Sequence, residues 1–202
     1  MIPSTPPIAL FDFDRTLTDR DSLLPFLFYV QGFFKTLYLL ICLTPFFIGY
    51  LFRFLSRQQI KEKILHQFIG GKSYAQLCEL AEQYANNQLD RYLKPEAVKR
   101  LLWHQSMGHR CLLVSASLDF YLIPWAKRYG FESVLASQLE VQPDGKVTGL
   151  LKGLNCWGGE KKRRILAYFG ERGHGELYAY GDSRGDQEML ALADHPFYRR
   201  FP

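Results

Sequence analysis

The feature that most restricts the fold is a set of short apolar runs, each placed just before a polar residue. Ile8–Phe11 leads into Asp12, Cys111–Val114 into Ser115, and Leu177–Tyr180 into Gly181 and Asp182, with a further run at Ser133–Ala136. Runs this short, apolar throughout rather than alternating, read as strands buried on both faces. Helical patterns separate them: Leu118–Tyr129 stopping near Gly130, Glu160–Phe169 closed by Gly170, and Gln187–Ala193. Leu139–Leu151 reads as a hairpin turning at Pro143-Asp144-Gly145. Strands that alternate with helices predict an α/β, Rossmann-like core with a parallel sheet and helices on both faces. In such a sheet, ligands collect outside the carboxyl ends of the strands. Asp12, Ser115 and Asp182 all fall at such ends.

One long stretch breaks the alternation. From Ser22 to Phe52 there are 31 residues with a single charge, Lys35, and ten aromatic side chains. Gln31-Gly32, Pro45 and Gly49 are its expected interruptions. From Arg53 to Lys99 the pattern turns amphipathic, with Ile60, Ile64 and Phe68, then Leu77, Leu80, Ala81 and Tyr84, at helical spacing on either side of Gly70-Gly71. The expected organisation is a core of residues 1–20 and 100–202, with an all-helical cap over residues 21–99 inserted after the first strand. Residues 22–52 would form an apolar hairpin in that cap.

Composition narrows the setting. At 48% hydrophobic and 22% charged, the chain is not of the disordered class. A net charge of +5 points to an anionic partner. The four cysteines form no CxxC pair, which argues against a zinc ribbon or disulfide scaffold; they are expected to be small buried hydrophobes in a reducing compartment. The five histidines show no metal-ligand spacing and are expected at the surface or in the core. Met1–Pro7 lacks the basic and apolar stretches of a secretory signal, so a cytoplasmic location is expected.

Asp12 and Asp14 lie two apart beyond one strand, and Asp182 and Asp186 follow another. Singly, each pair would pass for turn or capping residues. Converging carboxylates repel, and a hard divalent cation such as Mg2+ is the usual remedy. Lys161, at a helix start, adds a positive charge, and Ser115 a hydroxyl beside backbone N–H groups. Together they suit an anionic phosphoryl group. Ser117 is an alternative to Ser115, and Lys162 to Lys161. The basic run Lys161–Arg164 reads as a solvated helix face rather than a nucleic-acid site.

The order DxDxT, strand-end Ser, Lys, GDxxxD resembles the haloacid dehalogenase (HAD) superfamily of aspartyl-phosphate enzymes, over the whole chain. The inserted helical cap (the C1 type) is similar to that of the phosphoserine-phosphatase-like branch, subfamily IB. Val114–Ser117 and Cys156–Lys161 resemble a bacterial subgroup that includes phosphatidylglycerophosphatase C. The resemblance implies that Asp12 is the nucleophile and Asp14 the acid and base. It implies that Ser115, Ala116, Ser117 and Lys161 hold the phosphoryl group, and that Asp12, Asp14 through its carbonyl, Asp182 and Asp186 serve Mg2+. Asp21 stands where phosphoserine phosphatases carry a Glu that reads the substrate amino group. Arg15 replaces a Gly common in the family.

Resemblance and apolar cap together predict a Mg2+-dependent phosphatase acting through an aspartyl phosphate on a membrane-lipid phosphate such as phosphatidylglycerophosphate. The cap would dip into one leaflet at the cytoplasmic face of the inner membrane. Arg53, Arg57 and Lys61, at four-residue spacing, would share a face toward anionic headgroups. The alternatives are a phosphatase of a soluble metabolite such as phosphoserine and a catalytically silent, membrane-bound interaction module. An ordinary cap packed on the core or on a second copy is the competing account of the apolar stretch.

Overall fold

A computed structural model describes residues 6–170 and 175–202; residues 1–5 and His174, which entered the reading above, lie outside them. Five strands form a parallel sheet: β1 (Ile8–Phe11), β2 (Arg110–Leu118), β3 (Ser133–Ser137), β6 (Leu177–Gly181) and β7 (His195–Tyr198). Their order is β3-β2-β1-β6-β7. The predicted hairpin is a separate antiparallel pair, β4 (Leu139–Val141) and β5 (Val147–Leu151).

Strand periodicity sorts the core into two layers. Ile8 and Leu10, with Leu112, Val114 and Ala179, pack against Ile165 and Phe169 of α8 (Gly159–Phe169) and Met189 of α9 (Gln187–Leu190). Ala9 and Phe11, with Leu113 and Tyr180, face Leu101 of α6 (Pro95–Ser106) and Trp125 of α7 (Asp119–Arg128). Helices thus cover both faces. Each fully buried side chain of this size stabilises the fold by about 1.5–3 kcal/mol relative to leaving it exposed.

The strand β7 was not expected. Its sequence, His-Pro-Phe-Tyr, carries a proline that argues against a central strand, but an edge strand tolerates one. Here β7 pairs with β6 alone, and Phe197 stacks on Tyr180 with ring centroids 4.9 Å apart.

Between β1 and β2 run α1 (Leu23–Gln31), α2 (Phe33–Cys42), α3 (Thr44–Leu51), α4 (Arg57–Ile69) and α5 (Tyr74–Asn87), then a short turn and α6. The chain leaves and re-enters the core through a two-strand neck. Asp19 N–H donates to the Tyr92 carbonyl at 2.7 Å, and Lys94 N–H to the Leu17 carbonyl at 2.9 Å. A boundary at residues 99 and 100 falls inside α6, whose residues pack on the sheet.

The apolar stretch forms three helices rather than a two-helix hairpin. Gly32, at φ +76°, separates α1 from α2, and the two axes differ by 119°. Pro45 occupies the first turn of α3, where its missing N–H costs nothing. Among the described residues no helix is long and apolar enough to cross a membrane. The outer side of α2, α3 and the segment that follows them is strongly apolar yet open: Phe34 is 85% exposed, Leu51 77% and Phe54 82%. Cys42 lies on this open side, against the expectation of burial, and Cys78 is half-buried; Cys111 and Cys156 are buried.

The shared basic face is corrected by the start of α4. Ser56 accepts from Gln59 N–H at 3.2 Å while Gln59 Oε1 accepts from Ser56 N–H at 2.8 Å. This reciprocal cap begins the helix at Arg57. Arg53 therefore precedes α4, in a turn at φ +63°, and Lys61 points inward to the core.

Candidate active site

The sheet order places the ends of β1 and β6 side by side next to β2, which continues past Ser115 to Leu118, so Ser115 lies within its strand rather than at its end. β1 lies between β2 and β6, with Phe11 level with Leu113 on one side and Tyr180 on the other. The residues that follow meet at one edge: Asp12 in the centre, Ser115 to one side, Asp182 to the other. Asp12 N–H extends the β6 ladder to the Tyr180 carbonyl at 3.0 Å. The β2 pairing with β3 shifts after Ser115, loosening the backbone there.

Asp12 is held at both oxygens. Its Oδ2 accepts from Thr16 Oγ1 at 2.9 Å, and its Oδ1 from Lys161 Nζ at 2.6 Å. Lys161 also donates to Asp186 Oδ1 at 2.6 Å and to the Val114 carbonyl at 2.7 Å. All three ammonium donors are spent, and Asp12, Lys161 and Asp186 are buried together. Burial alone would lower the Lys161 pKa, but the two facing carboxylates override it and hold it above the ordinary lysine range. Burial pushes the Asp12 carboxyl up, and the Asp186 charge adds to this against the pull of Lys161. Asp186 is drawn down on balance: its burial is outweighed by Lys161 and by hydrogen bonds from Ser183.

Asp14 sits in the five-residue turn after β1, closed by Thr18 N–H donating to the Phe13 carbonyl at 3.1 Å. Arg15 adopts φ +61° within it, a conformation glycine takes without strain and other residues take at some cost. Asp14 Oδ1 accepts from Ser22 N–H at 2.7 Å, and Oδ2 from the Ser117 hydroxyl. Burial raises its pKa to about 6, with the Asp21 charge adding and the Ser117 and Ser22 hydrogen bonds opposing.

Each expected residue can be placed. Asp12, Asp14, Asp21, Ser115, Ala116, Ser117, Lys161, Asp182 and Asp186 all line one cleft of about 620 Å³. Ser117 is hydrogen-bonded within the site. Its one hydroxyl proton goes to Asp14, and its N–H to Ser115 Oγ at 3.0 Å. Asp21 is exposed and accepts from Leu23 N–H at 2.9 Å, at the start of α1. Lys162, the alternative to Lys161, is on the exposed side of α8. Thr16, Ser22 and Lys61 join the site without having been singled out for it. Thr16 stands in the quoted DxDxT motif; Ser22 meets Asp14 eight residues away through its backbone N–H, which carries no side-chain signal, and the Ser22 hydroxyl and Lys61 find partners 95 and 55 residues away.

A divalent cation fits the donor set. Asp12, Asp182 and Asp186 each offer a carboxylate oxygen, all within 4.8 Å of one another. Oxygen donors of this kind suit a hard cation such as Mg2+. Asp186 is already well supplied, since its Oδ2 accepts from Ser183 N–H at 3.0 Å and Ser183 Oγ at 2.7 Å. Asp182 is half-buried and freer.

The sequence profile of the haloacid dehalogenase-like hydrolases matches residues 9–191. A relative from Caulobacter vibrioides, the protein CicA, is 35% identical over 97% of this chain and 87% of its own length. A histidinol-phosphatase of Neisseria meningitidis is 26% identical over 61% of this chain and 58% of its own length. Among solved structures, a Bordetella pertussis protein of unknown function superposes with a TM-score of 0.80 at 25% identity, covering 94% of this chain and 87% of that one. A phosphoserine phosphatase solved as an analogue of its phospho-aspartyl intermediate superposes at 0.63, with 18% identity and 94% and 84% coverage, a likeness of fold.

Proposed function

The chain belongs to the haloacid dehalogenase-like hydrolases, and from that premise we propose that it is a Mg2+-dependent phosphomonoesterase working through an aspartyl phosphate. The observation that carries this reading is the buried ammonium of Lys161, 2.6 Å from both Asp12 and Asp186. A carboxylate is a poor nucleophile toward a phosphate dianion unless positive charge is fixed beside it. Asp12 attacks phosphorus and displaces the alkoxide, which takes the Asp14 proton. Asp14 then removes a proton from the water that opens the acyl phosphate. A carboxyl with a pKa of about 6, held by Ser22 and Ser117, suits both halves of that exchange. Ser115 offers its hydroxyl to a phosphoryl oxygen. A cation held by Asp12, the Asp14 carbonyl and Asp182, with Asp186 behind them, would neutralise charge on the phosphoryl oxygens.

The substrate we propose is a membrane-lipid phosphate such as phosphatidylglycerophosphate, met at the cytoplasmic membrane face. Two features support it. The cleft is bounded on the cap side by Leu23, Phe47, Tyr50, Ile60 and Ile64, an apolar wall suited to an amphiphilic leaving group. In the same cap, Phe33, Phe34, Ile41, Leu51, Phe52 and Phe54 are open apolar side chains, with Lys35, Arg53 and Lys63 as the cations among them. The second reading is a soluble phosphomonoester such as phosphoserine, favoured by Asp21 at the mouth of the cleft.

Hydrolysis of p-nitrophenyl phosphate tests the chemistry. Activity should need Mg2+, vanish with chelator and vanish in Asp12→Asn; full activity in that variant removes Asp12 as nucleophile. Co-sedimentation with anionic vesicles separates the two substrates. Binding that weakens in Phe34→Asp/Phe54→Asp supports the lipid, and no binding at low salt favours the soluble ester.

A further inference from the structure

The cap side of the cleft carries a cation that the chemistry above does not use. Lys61 reaches from α4 to the end of β2 and the segment before α8, where its ammonium donates to the Ala116 carbonyl and to Asn155 Oδ1 at 2.9 Å. Both acceptors are neutral. Among the described residues no carboxylate lies within 4.0 Å of it, whereas Lys161 faces two. A largely buried ammonium without a counter-ion is costly, and such groups concentrate at functional sites. Burial pulls its pKa down to about 8 even with Asp14 and Asp21 nearby. An ammonium has three donors. Two are spent, and the side chain lines the cleft beside Asp14 and Ser115.

The position is rigidly built. One face of α4 is fastened to the core. Gln58 Oε1 accepts from Asn155 N–H at 3.2 Å, Glu62 Oε1 from Leu151 N–H at 3.2 Å, and His66 Nδ1 lies 2.8 Å from the Thr148 carbonyl. Residues 58, 62 and 66 recur every four, so the attachment runs along the helix and holds Lys61 within it. One turn earlier, Arg57 lies over the Trp157 ring at 4.8 Å and lines the same cleft.

We propose that Lys61 is a specificity-determining residue that takes a second anionic oxygen of the substrate, on the leaving-group side of the scissile bond. The preferred esters then carry another negative charge, a phosphodiester or a carboxylate, close to the phosphoryl group. This rests on the phosphatase reading and adds the charge of the leaving group to it. A charge-assisted hydrogen bond of this kind discriminates by about 10- to 100-fold.

The test compares three substrates with Mg2+ present: p-nitrophenyl phosphate, whose leaving group lacks a second anionic group, phosphoserine, and short-chain phosphatidylglycerophosphate. In Lys61→Met, kcat/KM should fall about 10- to 100-fold further for whichever anionic substrate the wild type prefers than for p-nitrophenyl phosphate. Lys61→Arg should keep most of the preference. That preference also tells a lipid phosphodiester from a free carboxylate as the source of the second charge. Equal losses on all three substrates, or no loss on any, overturn the proposal. Should Lys61→Met fail to melt cooperatively, Lys61→Gln carries the same comparison. A wild type inactive on all three refutes the phosphatase reading itself, a result distinct from loss of selectivity.

Discussion

Lys161→Met isolates the electrostatics of the site from its catalysis. Methionine keeps the unbranched stem but removes the charge, leaving Asp12 and Asp186 buried and facing each other across the vacated position. At 2.6 Å each ion pair gains about 6 kcal/mol at an effective dielectric near 20. Desolvation of the three groups cancels most of that gain. Removing one partner still strands the others, and such losses measure about 3–5 kcal/mol. The variant should therefore lose about that much in urea unfolding at neutral pH. The loss should depend on pH in a definite direction. Without the ammonium, both carboxyls hold their protons to higher pH when folded than when unfolded. The variant then binds more protons folded than unfolded, so its stability falls as pH rises. The deficit against wild type should be larger at pH 8 than at pH 5. Adding Asp186→Asn to Lys161→Met removes one stranded charge and should recover part of the loss. A single-variant loss under about 1 kcal/mol, or a deficit that grows toward acid, refutes the placement of Lys161 between the two carboxylates.

Two further perturbations test the scaffold. His104 is buried with Nε2 2.9 Å from Tyr180 OH and Nδ1 2.8 Å from His109 Nδ1; burial, then the Arg100 charge and His109, lower its pKa to about 3. Its unfolded form gains a proton below about pH 6.5 while the native form stays neutral until about pH 3, so native stability should fall through that window, at most about 1.4 kcal/mol per pH unit. Urea midpoints between pH 7 and 4.5 should show a shallower fall in His104→Asn than in wild type; equal slopes would remove His104 from the account. Gly181 ends β6, and a Cβ there would lie 2.5 Å from Asp186 Cβ. Gly181→Ala should displace Asp186, cut p-nitrophenyl phosphate turnover at least about 10-fold and destabilise by about 1–3 kcal/mol, where an ordinary surface change stays within about 0.5; near-wild-type turnover would show that Asp186 is not held against the strand.

What the chain order of residues reveals, and what it hides, follows from the range of the interactions involved. The three strands that present Asp12, Ser115 and Asp182 each hold a short apolar run, Ile8–Phe11, Cys111–Val114 and Leu177–Tyr180, and that run marks them even in β2, which continues past Ser115 to Leu118. Their lateral order adds the rest, and it is a consequence of right-handed crossovers rather than of any single residue. The edge strand β7 escapes the same logic. It is buried on neither side to the same degree, and Pro196 carries the opposite local signal. The cap is legible as helical and apolar, and its break at Gly32 is legible from the glycine. The number of its helices is not, because Pro45 can bend one helix or begin another, and packing decides which.

Lys61 shows where helical spacing misleads. Arg53, Arg57 and Lys61 fall every fourth residue, which on one continuous helix would make a basic stripe toward headgroups. The Ser56–Gln59 cap begins the helix after Arg53 and breaks that stripe. The remaining two cations are then claimed by the core: Lys61 by the Ala116 carbonyl and Asn155, and Arg57 by the Trp157 ring. These partners come from the last part of β2 and the segment before α8, about 55 to 100 residues away, so no window along the chain holds both halves. The positive charge that would have served a membrane thus faces the cleft. The apolar helices α2 and α3 keep few cations beside them, Lys35, Arg53 and Lys63, whose ammonium lies 5.4 Å from the Phe46 ring, so any membrane contact they make rests mainly on buried area.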